Sequence, residues 1–192
     1  MTRIVPLLCA LFAAPALAHS TPPVTLNSER EAVSSLLPGA KRYFVREVRL
    51  SGAEREAIRQ QSGWNADEEF YRFYLGRDGD GHDVGAVVFL SDYTIHGPMR
   101  VAVGVEPDGR IRGAKIIEVT EETYPWVKSL IDRGFLDQFV GTDARATPTA
   151  ASGGGTSMVR FYGDVIRGLV QRGAILYRVA VRRRGAPPPQ TH

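Results

Sequence analysis

Apolar positions along the chain change their rhythm several times, and each rhythm predicts a different element. From Ile4 to Ala14 they are nearly continuous, broken only by Pro6. A single Arg3 precedes this run, and Pro15-Ala16-Leu17-Ala18 follows it. A short positive start, an apolar run and a small-x-small ending are the layout of a cleaved export leader. The run is too short to span a bilayer comfortably, so residues 1–18 read as a signal peptide. Residues 19–37 read as a lead-in and a short helix. Ser28 and Glu31 form a capping box, and Ala32, Val33, Leu36 and Leu37 repeat at helical spacing until Pro38-Gly39.

From residue 41 the period shortens. Tyr43, Val45 and Val48 mark a strand over 41–50, and a second capping box, Ser51 with Glu54, opens a helix that Gly63 closes. Four strand-like runs follow: Phe70 to Leu75, Val84 to Leu90, Met99 to Val105 and Ile111 to Val119. Asp78-Gly79-Asp80-Gly81 and Glu106-Pro107-Asp108-Gly109 supply turn chemistry between two pairs of them. Pro125 then starts a helix predicted to reach about Phe139, and a Gly/Thr/Ala-rich loop covers Gly141 to Gly155. A helix is predicted from Thr156 to Gln171, stopped by Gly173, with a closing strand from Ala174 to Val181. Strands clustered between helices, rather than alternating with them, predict an α+β fold: one twisted antiparallel sheet flanked by helices, in a single domain over 38–182. Residues 183–192 read as a disordered basic and Pro-rich tail.

Composition sharpens this picture in two places. The only cysteine is Cys9, inside the leader, so the exported chain would have no disulfide, thiolate metal site or thiol nucleophile. The formal net charge is +3, and much of the basic excess sits at Arg178, Arg182, Arg183 and Arg184. That run could touch an anionic membrane surface or a partner, or simply keep the end soluble. Nothing in the chain resembles a nucleic-acid module.

The most informative segment is Ser152-Gly153-Gly154-Gly155-Thr156-Ser157, which runs into a helix. Glycines let a backbone approach a ligand closely, a helix N-terminus offers unpaired N–H groups, and the hydroxyls add donors. The segment suits a phosphate. It is not a Walker A loop, because no Gly-Lys-Ser/Thr follows, nor a dinucleotide fingerprint, because no strand immediately precedes it. A flexible loop with Thr156 or Ser157 as an ordinary N-cap fits the same residues.

The segment resembles the Ser-Gly-Ala-Thr loop of the FMN-binding domain family. That family includes the peripheral flavin subunits of the Rnf and sodium-pumping NADH:quinone oxidoreductase complexes. Three further motifs stand in the family's order: the strand-turn-strand Gly104 to Ile111, the acidic segment Ile116-Ile117-Glu118 with Glu121-Glu122-Thr123-Tyr124-Pro125, and the run Phe135 to Gly141. The resemblance covers about residues 68–172. It implies FMN as cofactor and electron transfer as function, in the periplasm and peripheral to the membrane, with a redox protein or membrane electron-transport complex as partner. It implies a cofactor site made by Ser152, Gly153, Gly154, Gly155, Thr156, Ser157, Glu122, Thr123 and Trp126. In the family the motif's threonine can carry FMN through a phosphoester. Here an ungapped match sets Gly155 at that position, and one extra glycine sets Thr156 there. Thr149 stands where the family has an acidic residue, and Trp126 where it has glycine. A cofactor-free binding or assembly protein on the same scaffold is the alternative reading.

Other chemistry-bearing residues have plainer alternatives. Trp126 either stacks on a flavin ring or fills core beneath the sheet. His96, in His96-Gly97-Pro98, either bonds a flavin edge or is a surface-loop histidine. His19 could chelate copper only with a second histidine such as His82 or His96. Asp78 to Asp83 lacks the glycine and the distal glutamate of a calcium loop and reads as a hairpin turn. No nucleophile elbow is present, and Glu121 and Glu122 are adjacent, which turns their side chains apart and argues against a glycosidase couple.

Overall fold

A computed structural model describes residues 21–143 and 156–182. The element order is β1 (Pro23–Thr25), α1 (Glu29–Leu36), β2 (Arg42–Val48), α2 (Gly52–Ser62), β3 (Tyr71–Arg77), β4 (Asp83–Thr94), β5 (Gly97–Val105), β6 (Ile111–Thr120), α3 (Tyr124–Asp132), a 3-10 turn (Asp137–Phe139) and α4 (Ser157–Tyr177). The six strands form one open antiparallel sheet in the order β1-β6-β5-β4-β3-β2. The fold is therefore α+β in a single domain.

Strand alternation sorts the side chains into two layers. On β5, Val101, Val103 and Val105 point into the large core beneath α4, while Ala102 points to the other face beneath α1. On β4, Ala86, Val88 and Leu90 join the large core and Val87 the small one. Helix α4 crosses β4 and β5, with α2 and α3 packed against it, and α1 covers β5 and β6 on the opposite face.

Both capping boxes form as their sequences require. Ser28 and Ser51 each accept from the N3 backbone and receive the N3 glutamate in return. Gly63 closes α2 in the left-handed conformation. The four strand runs of the middle segment all form, with β4 extended to Thr94.

Three elements differ from expectation. The predicted closing strand from Ala174 to Val181 does not exist: α4 continues to Tyr177 and passes into π-helical turns over Arg178–Arg182. The apolar run there is buried on all sides, with Ala174, Ile175, Leu176, Val179 and Ala180 at most 1 % exposed. A fully buried apolar run has the same composition in a strand and in a core helix. Gly173, read as a helix stop, is a packing contact: a Cβ there would lie 2.8 Å from Val103 Cβ on β5. Its bare backbone lets α4 settle onto the sheet. The helix predicted from Pro125 to about Phe139 stops at Asp132, and Phe139 enters the core from the separate 3-10 turn. Finally, Pro23–Thr25 in the lead-in forms the edge strand β1 against Glu118–Thr120 of β6. A proline is tolerated there because an edge strand has one side without a ladder partner. The signal peptide and the tail 183–192 lie outside the described residues.

Candidate functional site

The β4–β5 hairpin turns through Ile95 and His96, since Thr94 pairs with Gly97. Ile95 points out, 77 % exposed, and the His96 side chain points in, 19 % exposed. Gly97 makes this inward turn possible. Its φ is +103°, and a Cβ there would meet Thr120 Cγ2 at 2.6 Å. The hairpin tip thus lies directly on the end of β6, where the chain turns through Glu121 and Glu122 into α3.

Tyr162, on the second turn of α4, is fully buried beneath this tip. Its hydroxyl oxygen lies 2.7 Å from His96 Nδ1, 3.1 Å from Thr123 Oγ1 and 3.2 Å from Thr94 Oγ1. Trp126, on the first turn of α3, stacks on the Tyr162 ring at 5.7 Å with an 11° interplanar angle. The same indole lies 5.0 Å from the His96 ring. On the outer side, Glu122 Oε1 stands 3.6 Å from His96 Nε2 and forms a charge pair when the ring is protonated.

Counting protons settles one hydroxyl of this cluster, Thr94. Each hydroxyl has one proton to donate and two lone pairs. Thr94 Oγ1 donates to the Gly97 carbonyl at 2.8 Å, which can only accept. Thr120 Oγ1 lies 2.8 Å from both the His96 carbonyl and Thr123 Oγ1. Thr120 Oγ1 directs its one proton at the His96 carbonyl and Thr123 Oγ1 and accepts from the Thr123 backbone N–H. Thr94, its proton committed to Gly97, faces Tyr162 with a lone pair, whereas either hydroxyl of the Thr123–Tyr162 pair can donate. The direction of the His96 Nδ1–Tyr162 bond follows the tautomer of the ring. Its Nε2 faces Glu122 and the surface. The result is an imidazole hydrogen-bonded to a buried phenol, with the exposed Glu122 carboxylate 3.6 Å from the outer ring nitrogen, beyond hydrogen-bond reach.

The first turn of α4 lies at the same end of the helix. Thr156 is the N-cap, and its Oγ1 accepts from the backbone of Val159. The backbone N–H groups of Ser157 and Met158 precede any intrahelical acceptor. Six residues at 1.5 Å rise set Thr156 about 9 Å along the axis from Tyr162.

Glu122, Thr123 and Trp126 are thus brought together around His96 and Tyr162, and Thr156 and Ser157 start the helix that carries Tyr162. Ser152, Gly153, Gly154 and Gly155 lie outside the described residues. Trp126 packs against the main core, partly buried, as the core reading expects, and lies beside His96. His96 is not a surface-loop histidine, because Gly97 lets the tip fold inward. Sequence reasoning missed Tyr162, Thr94 and Thr120. The usable signal was a tyrosine in register with the buried face of a helix, since a buried phenol needs a polar partner. His82 sits on the β3–β4 turn with Asp78 and Asp80, where Asp78 Oδ1 accepts from the backbones of Asp80 and His82. These bonds organise a hairpin turn.

Compared with known proteins, the chain matches no family model and no curated sequence.

Proposed function

We propose that this protein binds FMN and serves as an exported electron-transfer module, in the periplasm and peripheral to a membrane redox chain. One observation carries the reading: Glu122, Thr123 and Trp126 gather over the same end of α4 that Thr156 and Ser157 begin. An anionic phosphate fits the donors present there, namely the N–H groups of Ser157 and Met158 and the Thr156 and Ser157 hydroxyls, assisted by the helix dipole. The Trp126 indole, stacked on Tyr162 and partly exposed, would offer its outer edge to a flavin ring. Bound FMN would supply one- and two-electron chemistry that no side chain here provides. The protein's own part is orientation and proton handling. Tyr162 orients the His96 ring through its hydrogen bond with Nδ1, Trp126 packs beside the ring, and Nε2 faces the Glu122 carboxylate. The partner would be a redox protein or a membrane electron-transport complex. Among the described residues no helix is long and apolar enough to cross a membrane.

The test is to export the protein in a host that has a flavin transferase, purify it, and titrate it with FMN while following tryptophan emission. Saturable quenching that is lost in a Thr156→Ala/Ser157→Ala double variant supports the reading. A colourless protein that takes up no FMN at millimolar concentration rejects it and leaves the cofactor-free binding or assembly protein on this scaffold.

A further inference from the structure

The two edges of the sheet are unlike. β1 is three residues long and begins with Pro23, which is how edge strands are usually made unfit for further pairing. β2 runs seven residues in constant register against β3, without a bulge or a proline. Among the described residues its outer side has no strand partner. Its centre is Tyr43-Phe44-Val45, and these side chains are 47 %, 43 % and 58 % exposed. Consecutive large apolar side chains on a regular, unbulged edge are a pairing surface.

We propose that β2 pairs antiparallel with β2 of a second copy of this chain, across a two-fold axis through Val45. A perpendicular two-fold keeps each side chain on its own face, so only registers centred on a residue are allowed. Centring on Phe44 sets Arg42 opposite Arg46 of the second copy. Centring on Arg46 sets that arginine opposite itself. Like charges directly opposite destabilise a strand pair. Centring on Val45 avoids both. Val45 then meets its own copy, Tyr43 meets Glu47, and Phe44 meets Arg46, a cation–π pairing. Arg46 makes no ion pair among the described residues, and Glu47 keeps its own Arg72 at 2.8 Å. On the Tyr43 face, a groove of ≈ 550 Å³ against α1, bordered by Val33, Ser34 and Tyr74, leaves room for the incoming side chains. The short, proline-capped β1 edge does not propagate the sheet, so pairing closes at two copies. The contact is small, and the dimer belongs to the weak, concentration-dependent class.

The register makes the test sharp. In a Cys9→Ser background, Val45→Cys places two thiols on directly opposite residues. Their Cα atoms would be about 4.5–5.5 Å apart, inside the range a disulfide bridges. Phe44→Cys and Tyr43→Cys set their pairs about 8 and 14 Å apart, from the rise per residue and strand spacing, outside that range. Mild oxidation should therefore give a covalent dimer from Val45→Cys and not from the other two. Sedimentation of the unmodified protein should show a monomer–dimer equilibrium that Val45→Lys abolishes and Val45→Thr retains. All these sites are exposed, and thermal melts confirm that each variant folds. A wild-type protein that stays monomeric to millimolar concentration, or a crosslink that forms best at Phe44, would overturn the proposal. This outcome is independent of whether FMN binds.

Discussion

Two buried tyrosines make a matched pair of experiments. The Tyr162 hydroxyl is satisfied by the His96–Thr123–Thr94 cluster. The Tyr71 hydroxyl is buried near the Glu68 backbone N–H without reaching hydrogen-bond geometry. Replacing each by phenylalanine removes one oxygen and little volume. At Tyr162 two bonds are lost, one with His96 Nδ1 and one shared between the threonines. At about 1 kcal/mol each this is about 2 kcal/mol, and leaving the His96 Nδ1 atom without its partner adds up to about 1 more. Tyr162→Phe should therefore lose about 2–3 kcal/mol in urea unfolding followed by circular dichroism, and Tm should fall by roughly 4–12 °C. Tyr71→Phe should change stability by less than about 0.5 kcal/mol, because its hydroxyl has no bond to lose. Combining Tyr162→Phe with His96→Ala should show a coupling energy of about 1 kcal/mol rather than simple addition. Equal losses at the two tyrosines, or additive effects of Tyr162→Phe and His96→Ala, would refute the hydrogen-bond assignment.

Burial pushes the Tyr71 hydroxyl up to about 12, whereas an unfolded tyrosine ionises near 10. Between those values the unfolded chain has released a proton that the fold retains, so stability should fall as pH rises from about 10 to about 12 and level off above. Tyr71→Phe should flatten that slope in urea midpoints measured across the window, with a residue left by Tyr177, which burial also holds high. Gly173→Ala should cost about 1–3 kcal/mol through its clash with Val103. Gly168→Ala, in open space on the same helix, should instead stabilise by about 0.5–1 kcal/mol. Ser51→Ala should cost about 1 kcal/mol by removing the α2 cap, read from the same unfolding curves.

Local chemistry was legible in the sequence where it acts over a few residues. The Ser28/Glu31 and Ser51/Glu54 boxes, the Asp-Gly turns and the alternation in β3 to β6 depend on neighbours in the chain, and each formed. Ala174 to Val181 was misread because its state is decided by what surrounds it. Burial between the sheet and α2 makes an all-apolar helix favourable there, and no periodicity survives to show it. β1 was invisible because three residues with a proline have no strand signature without β6 beside them. At the candidate site, Glu122, Thr123 and Trp126 could be singled out only by family resemblance. Tyr162 was seen merely as an apolar helix position. Its role depends on the β4–β5 tip reaching across the sheet, which rests on Gly97 fitting against Thr120.

The most direct test of the FMN proposal is the intact mass and visible spectrum of the protein exported by a host that has a flavin transferase. The account predicts flavin absorbance in the purified protein, or its appearance on adding FMN. If the link is covalent, one FMN adduct should be present and should disappear in Thr156→Ala. A protein with neither adduct nor absorbance, unchanged by saturating FMN, would contradict it.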